Sequence, residues 1–339
     1  MKGLWLIKEG QTEIRELPIP DLKDDEVMLR AEYVGICGSD MHVFTGRHAF
    51  RKPPVILGHE ISGVVEKVGT KVSKIKIGDR VTVLPQENCG SCEMCRAGQP
   101  QQCLHKRVPG TASWIGSFVE HFAAREDLVF KCPDSLPTKV AVLAEPLAVS
   151  VHLLNYIPRN KRKKLLILGS GTIGMLTMMA AKSMKFEQIA MTDIAEYNLN
   201  KAKENGAVAI DVKKEKLETA LLQAFDGQKP DAVVITAGAD DILQQAIDSC
   251  ATQGIIVYVA MITKPLTANT YPIVFRELEI KGSLNYNHSD FQTAVDFLAE
   301  NPEAYGKMIT HCFPFEEGQK ALEMMNNRTE GFVKVTLKL

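Results

Sequence analysis

The chain has 339 residues, with 40 Lys and Arg against 41 Asp and Glu, and 45% of its residues are hydrophobic. That length exceeds one ordinary core and suits two domains. The balanced charge argues against nucleic acid and anionic membrane surfaces as partners.

The N-terminal stretch reaches Lys8 and Glu9 without the apolar core of a secretory signal, so the expected compartment is the cytoplasm. From Val27 to Glu126 the chain reads as short β-branched runs broken by Gly and Pro, a β-rich region with long loops. Three clusters in and after it carry metal-donor chemistry: Gly35-Ile36-Cys37-Gly38-Ser39-Asp40-Met41-His42, Gly58-His59-Glu60, and Ala144-Glu145-Pro146. Cys, His and Glu are the donors an open catalytic zinc site can use, although a lone His or Cys in a β region more often packs. Between the first two clusters, residues 45–54 gather Arg47, His48, Arg51 and Lys52. The loop is either a solvated basic segment or subunit contact, or one of its arginines holds a carboxylate or phosphate through its planar fork.

Cys89, Cys92, Cys95 and Cys103 place four thiols within fifteen residues, in a segment loosened by Gly90, Gly98 and Pro100. Four thiolates with no open position describe a structural zinc site, and thiols in a reducing compartment serve metals before disulfides. Cys132, Cys250 and Cys312 stand alone and read as core thiols.

After about Val149 strands alternate with helical patterns, with strands expected at 165–168, 188–192, 207–211, 231–236, 255–259 and 278–282. This alternation predicts a doubly wound parallel sheet. The uncharged run 165–181 imitates a membrane span, but Gly169, Gly171 and Gly174 inside it favour a strand, a turn and a helix. Gly169-Ser170-Gly171-Thr172-Ile173-Gly174 is a dinucleotide fingerprint in its required context. Asp193 ends the second strand, where a carboxylate accepts from both ribose hydroxyls and repels a 2′-phosphate, so NAD is expected over NADP. Helical patterns near 290–300 and 315–326 and a strand at 332–339 close the chain and should rejoin the first domain. The expected division is residues 1–150 with 289–339, and residues 151–288.

In this order these motifs resemble the zinc-containing medium-chain dehydrogenase/reductase family, which includes alcohol, sorbitol and threonine dehydrogenases. The resemblance covers nearly the whole chain and implies a GroES-like β-rich catalytic domain, a Rossmann NAD-binding domain, and an active site in the cleft between them. It implies catalytic-zinc ligands at Cys37 and His59, with Glu60 or Glu145 as the third. Asp40 would accept from the His59 imidazole, Ser39 would take the substrate proton, and His42 would relay it to solvent through the cofactor ribose. Glu145-Pro146 resembles the sorbitol dehydrogenase-like branch, so the expected reaction moves hydride between NAD and a secondary alcohol on a polyol, sugar acid or sugar phosphate. A threonine dehydrogenase-like or simple alcohol dehydrogenase, or a non-catalytic sensor, are the alternatives. The resemblance also suggests a homotetramer or homodimer, and aims Lys334 at the pyrophosphate unless it lies on a solvated strand face. Val43 stands where sorbitol dehydrogenases carry an aromatic residue, and Asn198 where a basic residue often follows the ribose acid.

Overall fold

The computed structural model describes residues 1–111 and 113–339, and the chain divides into two units, Met1–Ala148 with Asn287–Leu339, and Val149–Tyr286. In the first unit one long strand, Glu26–Ile36, is the hub of a seven-stranded sheet. Its β-branched and apolar side chains are buried along most of its length, as a strand covered on both faces requires. It pairs antiparallel with Glu60–Val68, with His121–Arg125 and with Lys334–Lys338. Two registers position the chemistry: Gly35 lies opposite Glu60, and Ile36 opposite Val335. The end of the hub strand, the start of Glu60–Val68 and the start of Lys334–Lys338 therefore meet at one end of these interior strands.

A second, three-stranded sheet joins Gln11–Glu16, Lys2–Lys8 and Val55–Ile56, placing Trp5 opposite Ile56. The β-rich reading of 27–126 needs amending, because Gly38–Phe44 is a helix and Glu93–Arg96 forms a short helical turn in the cysteine lobe. Gly-Ser-Asp looks like loop sequence by propensity, but Asp40 in the first turn accepts the backbone N–H of Cys37 at 3.0 Å, and Met41, Val43 and Phe44 turn into the core. Cys312 also departs from expectation: Cys132 and Cys250 are buried, whereas Cys312 is exposed on Ile309–Pro314 at the end of the sheet.

The second unit is a six-stranded parallel sheet in the order Val208–Asp211, Gln188–Asp193, Lys164–Leu168, Ala232–Ile235, Ile255–Tyr258, Glu279–Gly282. These are the six strands expected from the alternating pattern. The inner strands Lys164–Leu168 and Ala232–Ile235 are almost wholly apolar and buried, because helices cover both faces of such a sheet. The chain winds outward from Lys164–Leu168 on one side and then the other, so the switch point that binds ligands in such sheets lies at the C-terminal end of that strand.

The close approach at Gly35 generates a stability prediction. A Cβ there would lie 1.8 Å from Glu60 Oε2 and 3.0 Å from Lys334 Cε. Gly35→Ala should therefore destabilise the first unit by about 1–3 kcal/mol through overpacking. Urea unfolding measures it, and a midpoint equal to that of the wild type would show that the buried pair over Gly35 shifts without strain.

Candidate metal centres and nucleotide site

Cys37 follows directly on the hub strand, and His59 and Glu60 open its antiparallel neighbour, so the register alone brings them together. Their ligand atoms lie within 4.8 Å of one another. His59 Nδ1 is buried and has no hydrogen-bond partner among the described residues. Burial opposes a charge on this imidazole, yet the negative groups around it, Cys37 first and then Asp40 and Glu145, prevail and raise its pKa to about 10. A pocket whose surrounding negative groups favour a positive charge suits a divalent metal on Cys, His and carboxylate donors. Glu145, buried in the first turn of Ala144–Asn155, bears electrostatically on both His59 and Glu60 but stands outside the tight trio.

Asp40 does not do what the resemblance implies. Its Oδ1 is 3.8 Å from His59 Nδ1, beyond hydrogen-bond reach, while its carboxylate accepts the backbone N–H groups of Cys37 at 3.0 Å and Gly58 at 3.1 Å. Fully buried, it ties the two donor-bearing segments to each other through their backbones. Lys334 is likewise neither solvated nor aimed at a phosphate: it is 1% exposed and donates to Glu60 Oε1 at 2.5 Å and to the Ile36 carbonyl at 2.8 Å. Burial outweighs this lysine's charge and keeps the Glu60 carboxyl above its usual range.

Ser39 and His42 sit three residues apart on the helix Gly38–Phe44, both partly exposed, so hydroxyl and imidazole share one helix face. Val43, by contrast, is fully buried and Phe44 nearly so, and neither replaces the aromatic residue that sorbitol dehydrogenases carry after the histidine.

The second donor set is the cysteine lobe. The sulfur of Cys92 lies 3.5 Å from that of Cys95 and 3.9 Å from that of Cys103, and the sulfur of Cys89 lies 3.5 Å from Cys103 and 4.0 Å from Cys95. Zinc bonds to sulfur of about 2.3 Å in a tetrahedron require sulfurs about 3.8 Å apart, whereas a disulfide needs about 2.05 Å. The lobe has the zinc spacing. Backbone N–H groups favour the thiolate form: those of Ser91 and Cys92 pull Cys89 down to about 5, and those of Cys95 and Leu104 lower Cys92.

In the second unit the glycine fingerprint joins Lys164–Leu168 to the helix Thr172–Ser183. Gly169 has φ of +108°, and a Cβ on Gly174 would lie 2.0 Å from the Gly169 carbonyl, so the turn is closed to larger residues. Gly171, the N-cap, would meet nothing within 4 Å, which leaves backbone approach open at the start of a helix that includes Thr172 and Ile173. Asp193 accepts from the backbone of Ser170 at 2.9 Å, Ile194 at 2.7 Å and Ala195 at 2.9 Å, and from Asn198 Nδ2 at 3.3 Å. The carboxylate is thus tethered to the fingerprint turn, and Asn198, where a basic residue often stands, helps to hold it.

Residues 23–134 match the alcohol dehydrogenase GroES-like domain, and residues 172–300 match the zinc-binding dehydrogenase family. The chain is 34% identical to sorbitol dehydrogenase of Homo sapiens over 349 residues, covering 99% of this chain and 96% of that protein. It is 33% identical to D-arabitol-phosphate dehydrogenase of Enterococcus avium over 346 residues, covering 100% and 97%. Among solved structures it is similar to a short chain alcohol dehydrogenase of Escherichia coli CFT073 complexed with NADH, with a TM-score of 0.91 and 28% identity, covering 100% of this chain and 99% of that one. The chain belongs to the zinc-binding dehydrogenase family. It is a zinc-dependent oxidoreductase with a GroES-like domain and a Rossmann-type domain.

Two donor sets, of which one has four thiols, predict about two zinc ions per chain. Elemental analysis of protein purified without added zinc is the measurement, and one ion or none with full activity would contradict it. Cys92→Ser should lower the unfolding temperature, because structural zinc affinity is folding free energy, while Cys37→Ser should leave the fold intact and abolish turnover.

Proposed function

We propose that this protein oxidises a secondary alcohol of a polyol or sugar-derived substrate with NAD, with Cys37, His59 and Glu60 holding the catalytic zinc and Cys89, Cys92, Cys95 and Cys103 the structural one. The convergence of the Cys37, His59 and Glu60 ligand atoms within 4.8 Å of one another carries the reading. When bound, zinc brings the pKa of a substrate hydroxyl toward about 7 and NAD takes up the hydride. The chain's own residues do the rest. Glu145 adds negative charge beside the ligand set, which disfavours a further negative charge on Glu60 and favours a cation in the site. Ser39 accepts the substrate proton, and His42, one helical turn further on, passes it outward. A sensor that only bound nucleotide would need neither group.

The relatives named for sorbitol and arabitol phosphate favour a polyol over the threonine dehydrogenase-like and simple alcohol dehydrogenase readings. NAD reduction across polyols, polyol phosphates, aldonates, threonine and butanediol tests this. Turnover of threonine above every polyol would move the protein out of the polyol branch.

NAD preference rests on Asp193. Asp193→Gly removes the ribose acceptor and its repulsion of a 2′-phosphate, so it should raise KM for NAD and narrow the advantage over NADP. The same change deletes the bonds to Ser170, Ile194 and Ala195 and should cost about 0.5–2 kcal/mol, as the loss of a cap does. Kinetics with both cofactors decide it; an unchanged preference places ribose recognition elsewhere.

An exposed sheet edge in the second unit supports a homo-oligomer. Glu279–Gly282 ends its sheet with all four residues exposed, and Tyr271, Val274 and Phe275 leave apolar surface beside it. Such an edge is a template for pairing, and a second copy of the same strand is the occupant that two-fold symmetry supplies. Phe275→Asp should shift the protein toward monomer in size-exclusion chromatography with light scattering, and an unchanged mass would remove this face from the assembly. Among the described residues no helix is long and apolar enough to cross a membrane. A cytoplasmic location fits a site that needs four reduced thiols.

A further inference from the structure

A cavity of about 540 Å³ in the first unit is lined by Trp5, Phe50, Arg51, Lys52, Ile56 and Gly116 among others, and no carboxylate of the described residues lines it. Two of its residues carry buried N–H donors without a hydrogen-bond partner among the described residues, Trp5 Nε1 and Arg51 Nε. A buried donor left unpaired costs about 1–3 kcal/mol, so two in one cavity mark a place where an acceptor is missing. The rest of the basic loop is engaged differently: Arg47 Nε donates to Thr45 Oγ1 at 2.9 Å and Lys52 Nζ to the Gly46 carbonyl at 3.2 Å. Arg51 alone of the three makes no side-chain hydrogen bond or ion pair with a described residue.

The loop is also built to present it. His48 Nδ1 accepts the backbone N–H of Arg51 at 3.1 Å, and the carbonyl of His42 accepts the N–H groups of Arg47 at 2.8 Å and His48 at 3.0 Å. The segment that bears Arg51 is therefore fixed to the end of the helix that starts beside Cys37. Burial, then the Arg51 charge, holds the His48 imidazole below its usual pKa, which keeps its nitrogen an acceptor for that backbone bond. Another part of the lining is tied to the other donor segment. Ile56 lies three residues before His59, at most about 11 Å along a fully extended chain, and Gly116 packs against the carbonyls of Ile56 and Leu57 so closely that a Cβ would lie 2.2 Å from both.

We infer that this cavity is an anion subsite in which Arg51, with the Trp5 indole N–H, binds the phosphate or carboxylate end of the substrate. A planar guanidinium orients such a group as well as attracting it, and so sets the distance from the charged end to the reacting carbinol. The inference rests on the proposed polyol reading and narrows it to polyol phosphates or sugar acids.

The test compares a hexitol with its 1-phosphate in the zinc-loaded enzyme, in wild type, Arg51→Met, Arg51→Lys and Trp5→Phe. The wild type should prefer the phosphate ester. Arg51→Met should raise KM for the ester by about 10- to 100-fold, the size of a lost charge-assisted pair, with kcat and the neutral hexitol little changed. Arg51→Lys should recover part of the loss, and Trp5→Phe, which keeps the ring, should show a smaller loss confined to the ester. Inorganic phosphate should compete with the ester in the wild type and lose that effect in Arg51→Met. A wild type that turns over polyols but prefers the neutral one, or an Arg51→Met variant with an unchanged ratio, overturns the subsite while leaving the polyol reading intact. Phosphate binding that depends on Arg51 but is not competitive with the ester makes the cavity a site for a free anion and overturns its assignment to substrate. If no polyol is oxidised, the functional reading fails, and calorimetry with inorganic phosphate on wild type and Arg51→Met still decides whether the cavity binds anions.

Discussion

The first unit depends on one pairing register, Gly35 opposite Glu60 in the antiparallel ladder between the hub strand and its neighbour. A slip of one residue would turn Glu60 to the other face and carry His59 with it, because side chains alternate along a strand. That register is defended from both sides. The missing side chain at Gly35 makes room for the Glu60 carboxylate, and Lys334, brought in by the next strand, closes over it. Removing one partner of such a buried pair costs about 3–5 kcal/mol, so the pair holds the strand in place even though it adds little net stability compared with an apolar substitute.

The same pair explains how the site tolerates its charge. Asp40, Glu60 and Glu145 are all buried near His59, and Cys37 adds a thiolate once it is deprotonated, with Lys334 as the cation beside them. A pocket so short of positive charge is unfavourable in low dielectric unless a cation enters. Asp40 escapes most of that cost because it accepts hydrogen bonds from two backbone amides. Its service to the site is mechanical: it fixes where the donors stand, and their own chemistry is left to the metal.

What the sequence revealed follows the distance along the chain between interacting groups. The cysteine lobe and the glycine fingerprint are local, so residue type and spacing were enough to read them, and the alternating pattern showed the six strands of the parallel sheet. Lys334 could not be read in this way, since its partner Glu60 is 274 residues away and a lysine on a strand ordinarily faces water. The helix at Gly38–Phe44 was hidden by poor propensity, although an acid three residues after Cys37, ahead of an apolar run, is the sort of signal that marks a helix start. Trp5 gave no sign at all. Its neighbours Val55 and Ile56 come from the far side of the basic loop, and only the small three-stranded sheet brings them to it.

The course of the chain through the units has a bearing on biosynthesis. Val149–Tyr286 is one uninterrupted stretch and can fold as soon as it has emerged from the ribosome, whereas the first unit is assembled from two stretches, before and after it. Until the segment that contains Lys334 has been made, Glu60 has no lysine and the hub strand lacks one of its neighbours. During that interval the nascent chain carries the donors Cys37, His59 and Glu60 without the strand that locks their geometry. The sheet, and with it the geometry around Glu60, closes only when the segment that contains Lys334 has joined it.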